Sequence, residues 1–108
     1  MEYLFSYGTL QHEDVQLKLF GRKLQGTPDI LPDHVVMPVD ITDEAFLAAG
    51  GNRNQMIAVR TPGKYIAGTV FEVSEEELKT ADRYEPSNYK RFLVSLHSGK
   101  QAWVYAAV

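Results

Sequence analysis

The residues of this sequence best suited to moving a proton are Glu85 and its neighbour Asp82. Leu78, Ala81, Asp82 and Glu85 stand at i, i+3, i+4 and i+7, a spacing that gathers them on one face of a helix. Leu78 and Ala81 mark that face as the buried one, which directs Glu85 inward at the helix C-terminal end. Burial disfavours the charged carboxylate there, and the negative end of the helix dipole repels it, so both raise its pKa. A carboxylate tuned upward is a usable general base near neutral pH. Spacing alone leaves a second placement open, in which the helix frays before Pro86 and Glu85 faces water. Asp82 has Arg83 and Arg91 as ion-pair partners, and reads first as an organiser of the helix end.

A base needs something to hold the substrate, and the beginning of the chain offers it. In Tyr3-Leu4-Phe5-Ser6-Tyr7-Gly8-Thr9-Leu10 the aromatics Tyr3, Phe5 and Tyr7 alternate, as on a pleated, half-buried strand. Gly8 follows, a residue free to take positive φ and to let another atom approach the backbone. Glu13 to Phe20 then reads as a short helix, with acids in its first turn and Gly21 as its stop. A strand turning through glycine into a helix aims free N–H groups at one spot and favours an anion there. Gly8 alone reads first as an ordinary strand-to-helix turn.

The elements that must position these groups follow in order. Arg22 to Ile30 is a strand or irregular edge ending near Pro32. His34 to Ile41 is an apolar strand that Pro38 demotes to an edge or a bulge. Thr42 to Ala49 is a helical turn capped by Thr42 or Asp43, and Gly50–Asn54 is the most loop-like segment. Met56–Arg60 and Tyr65–Val73 are strands separated by a Thr61–Lys64 turn, with Gly68 permitting close packing or a bend. Ser74 and Glu77 form a capping box for the helix that carries Glu85. Arg91–Leu96 and Ala102–Ala106 are strands joined by a tight turn at Ser98-Gly99. The order predicts one domain over 1–108 of α+β class: a small mixed β-barrel or strongly curved sheet of about six strands with two flanking helices.

Bulk composition narrows the function. The chain has 108 residues, 44% hydrophobic and 23% charged, an ordinary globular balance with a real core. Net charge is −3 and no basic stripe appears, which gives nucleic-acid binding no footprint. The absence of cysteine removes thiol catalysis, disulfides and zinc–thiolate sites together. His12, His34 and His97 lack metal-ligand spacing, so no metal is expected. No apolar run approaches the roughly 18 residues of a spanning helix, and Glu2 stands where a signal peptide would be basic. The expectation is a cytoplasmic protein with no membrane partner, a monomer by default.

Tyr7-Gly8-Thr9-Leu10 directly after a first strand, with Asp82-x-x-Glu85 and Tyr89-x-Arg91 much later, resembles the γ-glutamylcyclotransferase superfamily. Its closest branch is the small AIG2-like proteins, which include γ-glutamylamine cyclotransferases, and the likeness runs to the closing Trp103-Val104-Tyr105. The resemblance implies a small mixed barrel whose Tyr7, Gly8, Thr9 and Leu10 line the substrate cavity and whose Glu85 is the acid/base. Tyr89 and Tyr105 are then wall residues, since an unperturbed tyrosine pKa near 10 suits neither for carrying protons. The implied reaction converts a γ-glutamyl amine or short γ-glutamyl peptide to 5-oxoproline. It needs no cofactor, because the nucleophile is the substrate's own amine. A non-catalytic binding module of the same fold, and an acyl-amide enzyme with a changed substrate, are the alternatives that fold alone leaves open. Gln11-His12-Glu13, Gly50–Asn54 and Pro86 stand where many relatives carry other residues, and the first two bear on the leaving-group pocket.

Overall fold

A computed structural model describes residues 1–51 and 53–108. Its strands are β1 (Glu2–Ser6), β2 (Gly26–Asp40), β3 (Asn54–Val73), β4 (Tyr89–Ser95) and β5 (Gln101–Ala107). Its helices are α1 (Glu13–Phe20), α2 (Glu44–Ala48) and α3 (Glu75–Tyr84). The strands form one mixed sheet in the order β2-β3-β1-β5-β4. The sheet is curved but remains open, so the α+β expectation holds in its curved-sheet form rather than as a closed barrel.

The expected strand between Tyr3 and Tyr7 is the centre of this sheet. It pairs antiparallel with β3, Leu4 opposite Phe71, and parallel with β5, Leu4 opposite Trp103. Leu4 and Phe5 point to opposite faces, yet each is only 1% exposed. The strand is therefore buried on both sides rather than half-buried. On one side Phe5 packs with Leu31, Ile66, Val70 and Val104. On the other, Leu4 packs with Phe71, Val73, Leu78 and Ala81 beneath the helices.

The sheet has fewer strands than expected because two breaks are bridged. The expected turn at Thr61–Lys64 is an excursion within β3: Pro32 pairs with Tyr65 and His34 with Arg60, leaving Asp33 facing four residues. Gly63 at φ 84° and Asp33 at φ 59° absorb the bend, and the Asp33 carboxylate accepts the Gly63 N–H at 3.0 Å. A bulge is also where Pro62 can sit without breaking a ladder bond. Pro38 lies on β2, the sheet edge, as its missing donor requires.

Local signals elsewhere were specific. Ser74 and Glu77 make both capping-box bonds, at 3.1 and 2.8 Å. Glu77 also binds Arg22 through two 2.8 Å contacts. Asp43, not Thr42, caps α2 by accepting from Phe46 N–H. At Gly68 β3 lies close to β1; a Cβ there would lie 2.5 Å from the Ser6 carbonyl oxygen. Within the Gly50–Asn54 segment, Asn52 lies outside the described residues.

Candidate active site

Central strand β1 delivers Tyr7 to the sheet's end, and the chain then makes a 3-10 turn over Thr9–Gln11. Gly8 opens this turn at φ −129°, so the positive φ open to glycine is not used. A Cβ on Gly8 would meet nothing within 4 Å, which leaves open space above the backbone. Helix α1 starts only at Glu13, behind an extended His12. The expected direct passage from strand to helix is thus interrupted, and the α1 dipole does not end at Gly8. Donors remain nonetheless: Gly8 N–H is held by Ser6 Oγ at 3.3 Å, while Thr9 and Leu10 N–H have no partner among the described residues. Gln16, 2% exposed, fixes the turn from behind. Its Nε2 donates to Leu10 C=O at 2.8 Å and its Oε1 accepts from Leu24 N–H at 2.9 Å.

Glu85 arrives from the opposite direction. Helix α3 ends at Tyr84, and Glu85 is its C-cap at φ −69°, ψ 137°, the extended geometry that Pro86 enforces on its predecessor. Its own N–H still bonds Ala81 C=O at 3.0 Å. The helix therefore stops where the proline dictates, and the last residue turns into the molecule instead of fraying into water.

One pocket is lined by Tyr7, Gly8, Thr9, Leu10, Glu85, Tyr89 and Tyr105, with Phe5, Ser6 and Gln55 completing it. The seven residues that the sequence assigned to the cavity thus line one pocket. Gln55, at the start of β3, carried no signal of spacing or type and was found only by the fold. Ser6 and Gln16 were missed for the same reason: their work is to hold backbone.

The electrostatics divide the pocket into proton holders and a proton acceptor. Burial, then the charge of Asp82, pushes Glu85 up to about 7. The like charge of Asp82 is thus the second cause. Burial also raises Tyr7, whose hydroxyl donates to Tyr105 C=O at 2.7 Å and accepts from Ala58 N–H at 2.8 Å. Burial and the Glu85 charge push Tyr89 up to about 12, and its hydroxyl donates to Met56 C=O at 2.9 Å. Burial and its bond to Asp82 raise Tyr105 as well. All three phenols stay protonated, each with its proton donated to a protein acceptor.

Asp82 stands outside the pocket. Arg91 holds it in a two-pronged contact at 2.8 and 3.0 Å, and the Tyr105 hydroxyl adds a third bond at 2.7 Å. Burial raises its pKa, but these bonds outweigh burial and the net shift is downward. Arg91 is itself stacked over the Trp103 ring at 4.3 Å, which ties the cluster to β5.

A curved sheet with this turn and this inward glutamate defines a class before it defines a protein. The chain belongs to the gamma-glutamyl cyclotransferase, AIG2-like family, whose model matches residues 4–108. Among solved structures it is similar to one described as a gamma-glutamyl cyclotransferase, at TM-score 0.73 and 16% identity over 99% of this chain. It is similar also to an Arabidopsis thaliana protein solved in solution, at TM-score 0.71 and 18% identity over 99% of this chain. A Homo sapiens protein described as uncharacterized gives TM-score 0.74 and 18% identity over 99% of this chain. At such identities the likeness is one of fold. The chain spans 62% of the Arabidopsis structure and 66% of each of the other two. No curated protein sequence gives a significant match. Among the described residues, no helix is long and apolar enough to cross a membrane.

Proposed function

We propose that this protein cyclises γ-glutamyl compounds to 5-oxoproline, with Glu85 as the acid/base and the Tyr7–Leu10 turn as the substrate cradle. The observation that carries this reading is the meeting of the turn's unpartnered N–H groups and a glutamate with a pKa of about 7 in one pocket. Family membership supplies the reaction class.

The substrate's α-ammonium gives one proton to Glu85, and the freed amine attacks the γ-carbonyl carbon. A ring C–N bond forms, and the carbonyl oxygen takes up negative charge that the Thr9 and Leu10 N–H groups are suited to bind. Glu85 returns its proton to the leaving nitrogen, the original amide C–N bond breaks, and the carbonyl reforms. Of the two protons the ammonium loses, one travels through Glu85 and the other through solvent, which reprotonates the departing amine. Water is not consumed. The enzyme's task is to fold a flexible substrate into the attacking geometry, where positioning is worth several kcal/mol.

The test is incubation with a panel of γ-glutamyl amines and γ-glutamyl dipeptides, with 5-oxoproline followed by mass spectrometry. Release from at least one member is expected. No release from a broad panel overturns the reading in favour of a non-catalytic binding module.

A further inference from the structure

Glu85 lines a second cavity as well as the first, on the side facing α1 and α2. We propose that this second cavity is the leaving-group subsite, and that it selects an amino acid with a large apolar side chain, recognised also by its carboxylate. The proposal rests on the cyclisation reading and specifies its substrate as a γ-glutamyl dipeptide ending in an aromatic or branched aliphatic residue.

The lining carries the argument. Leu19 of α1, Phe46 of α2, Ala49 and Tyr84 form an apolar floor. Phe46 and Tyr84 meet edge to face with ring centres 5.8 Å apart, an arrangement that offers a further aromatic ring a face and an edge. Gly51 lets the chain lie against Phe46, since a Cβ there would stand 2.3 Å from the ring. The groove continues outward past Ala49 and Tyr84 to Val15, which gives length for a side chain larger than alanine.

Charge fixes the rest. Lys18 and Arg83 stand at the rim, and neither forms a salt bridge with any described residue. Of the acids that line the cavity, Glu85 is the acid/base of the proposed reaction and Asp43 already accepts from the N–H groups of Phe46 and Ser87 at 3.2 and 3.1 Å, while Asp14 lies farther out along the groove. A carboxylate entering the cavity therefore meets two cations, Lys18 and Arg83, that hold no salt bridge with a described residue, although Arg83 also bonds Thr80 Oγ1 at 3.4 Å. In a γ-glutamyl dipeptide the leaving nitrogen, which must approach Glu85, is bonded to the carbon bearing both the carboxylate and the side chain. Those two groups would then enter the cavity that Glu85 borders.

Three compounds separate the possibilities: γ-glutamylphenylalanine, γ-glutamylglycine, and γ-glutamylphenethylamine, which has the ring without the carboxylate. Values of kcat/KM for 5-oxoproline release should favour the phenylalanine compound over the glycine compound by about 10- to 100-fold, the usual discrimination of an apolar pocket. They should favour it over the phenethylamine by about fivefold, as a rim-exposed ion pair allows. Ala49→Trp should erase the first ratio, and Lys18→Glu with Arg83→Glu should erase the second. The same rankings should appear as Kd ratios in the Glu85→Gln protein, measured by calorimetry. Equal turnover of all three compounds, unaffected by Ala49→Trp, overturns the subsite and leaves the cyclisation standing. Ranked binding without 5-oxoproline from any compound supports the subsite and overturns the cyclisation. Neither turnover nor ranked binding overturns both.

Discussion

Asp82 and Glu85 sit one helical turn apart at the end of α3, and their surroundings pull their protons in opposite directions. Asp82 has Arg91 and the Tyr105 hydroxyl to stabilise its charge, and it is held below the ordinary aspartate range. Glu85 has tyrosine rings, burial and the charge of Asp82 itself, and it is pushed up to about 7. Two carboxylates of nearly equal intrinsic acidity are thereby set to different proton affinities. Asp82, held ionised, is the like charge that raises Glu85 beyond what burial does.

The difference is broken most severely at Glu85. Glu85→Gln keeps size but cannot accept the ammonium proton, and turnover should fall by about 10²–10⁴, the usual worth of a general base. Binding of a γ-glutamyl compound should survive in calorimetry, because the turn's N–H groups remain.

The same substitution should raise stability, in a defined pH window. A carboxyl whose folded pKa lies above its unfolded value binds more protons folded than unfolded between those values. Stability from this group therefore falls as pH rises from about 4.5 to about 7, and stays low above that. Glu85→Gln should be more stable than the parent at pH 8 by about 2 kcal/mol, less than the full shift implies because Glu85 is partly exposed. The gain should vanish near pH 4.5 in urea unfolding. A structural glutamate would give the opposite sign at pH 8.

Asp82→Asn attacks the other half of the pair. Removing the like charge should lower the Glu85 titration midpoint seen by carbon NMR of the side-chain carboxyl. Loss of the charged Arg91 contact, partly exposed, should cost about 1 kcal/mol. Since the Asp82 pKa is depressed, that cost should be present at neutral pH and fade as pH falls through the aspartate range. An unmoved Glu85 midpoint would show that burial alone sets it.

The smallest effect on stability belongs to Gly8. Gly8→Ala meets no protein atom and does not require positive φ, so stability should stay within about 0.5 kcal/mol. Ligand affinity should drop, because the methyl occupies space beside the turn. Unchanged affinity would place the substrate elsewhere in the pocket.

Glu85 was legible in the sequence because three local rules agreed on it: the apolar face of α3, the capping box that fixes the helix start, and the proline that fixes its end. The central strand was legible from its alternating aromatics, although burial on both faces shows that alternation described the rings and not the environment. Gln55 and Gln16 were not legible. Each acts through where the fold brings its amide, and a glutamine in a strand start or a helix carries no pattern of its own. The β3 excursion was read as a turn because Pro62-Gly63 is turn chemistry; only the pairing with β2 distinguishes a bulge from a hairpin.

The most direct test is the pH dependence of kcat/KM for 5-oxoproline release from a γ-glutamyl compound that the parent protein cyclises. This quantity reports the ionisation of the free enzyme's essential groups. With Glu85 as the base, it should fall below a midpoint at about 7, and the limb should move to lower pH in Asp82→Asn. A limb at the ordinary glutamate value, or a profile that Asp82→Asn leaves unchanged while Glu85→Gln retains turnover, would contradict the account.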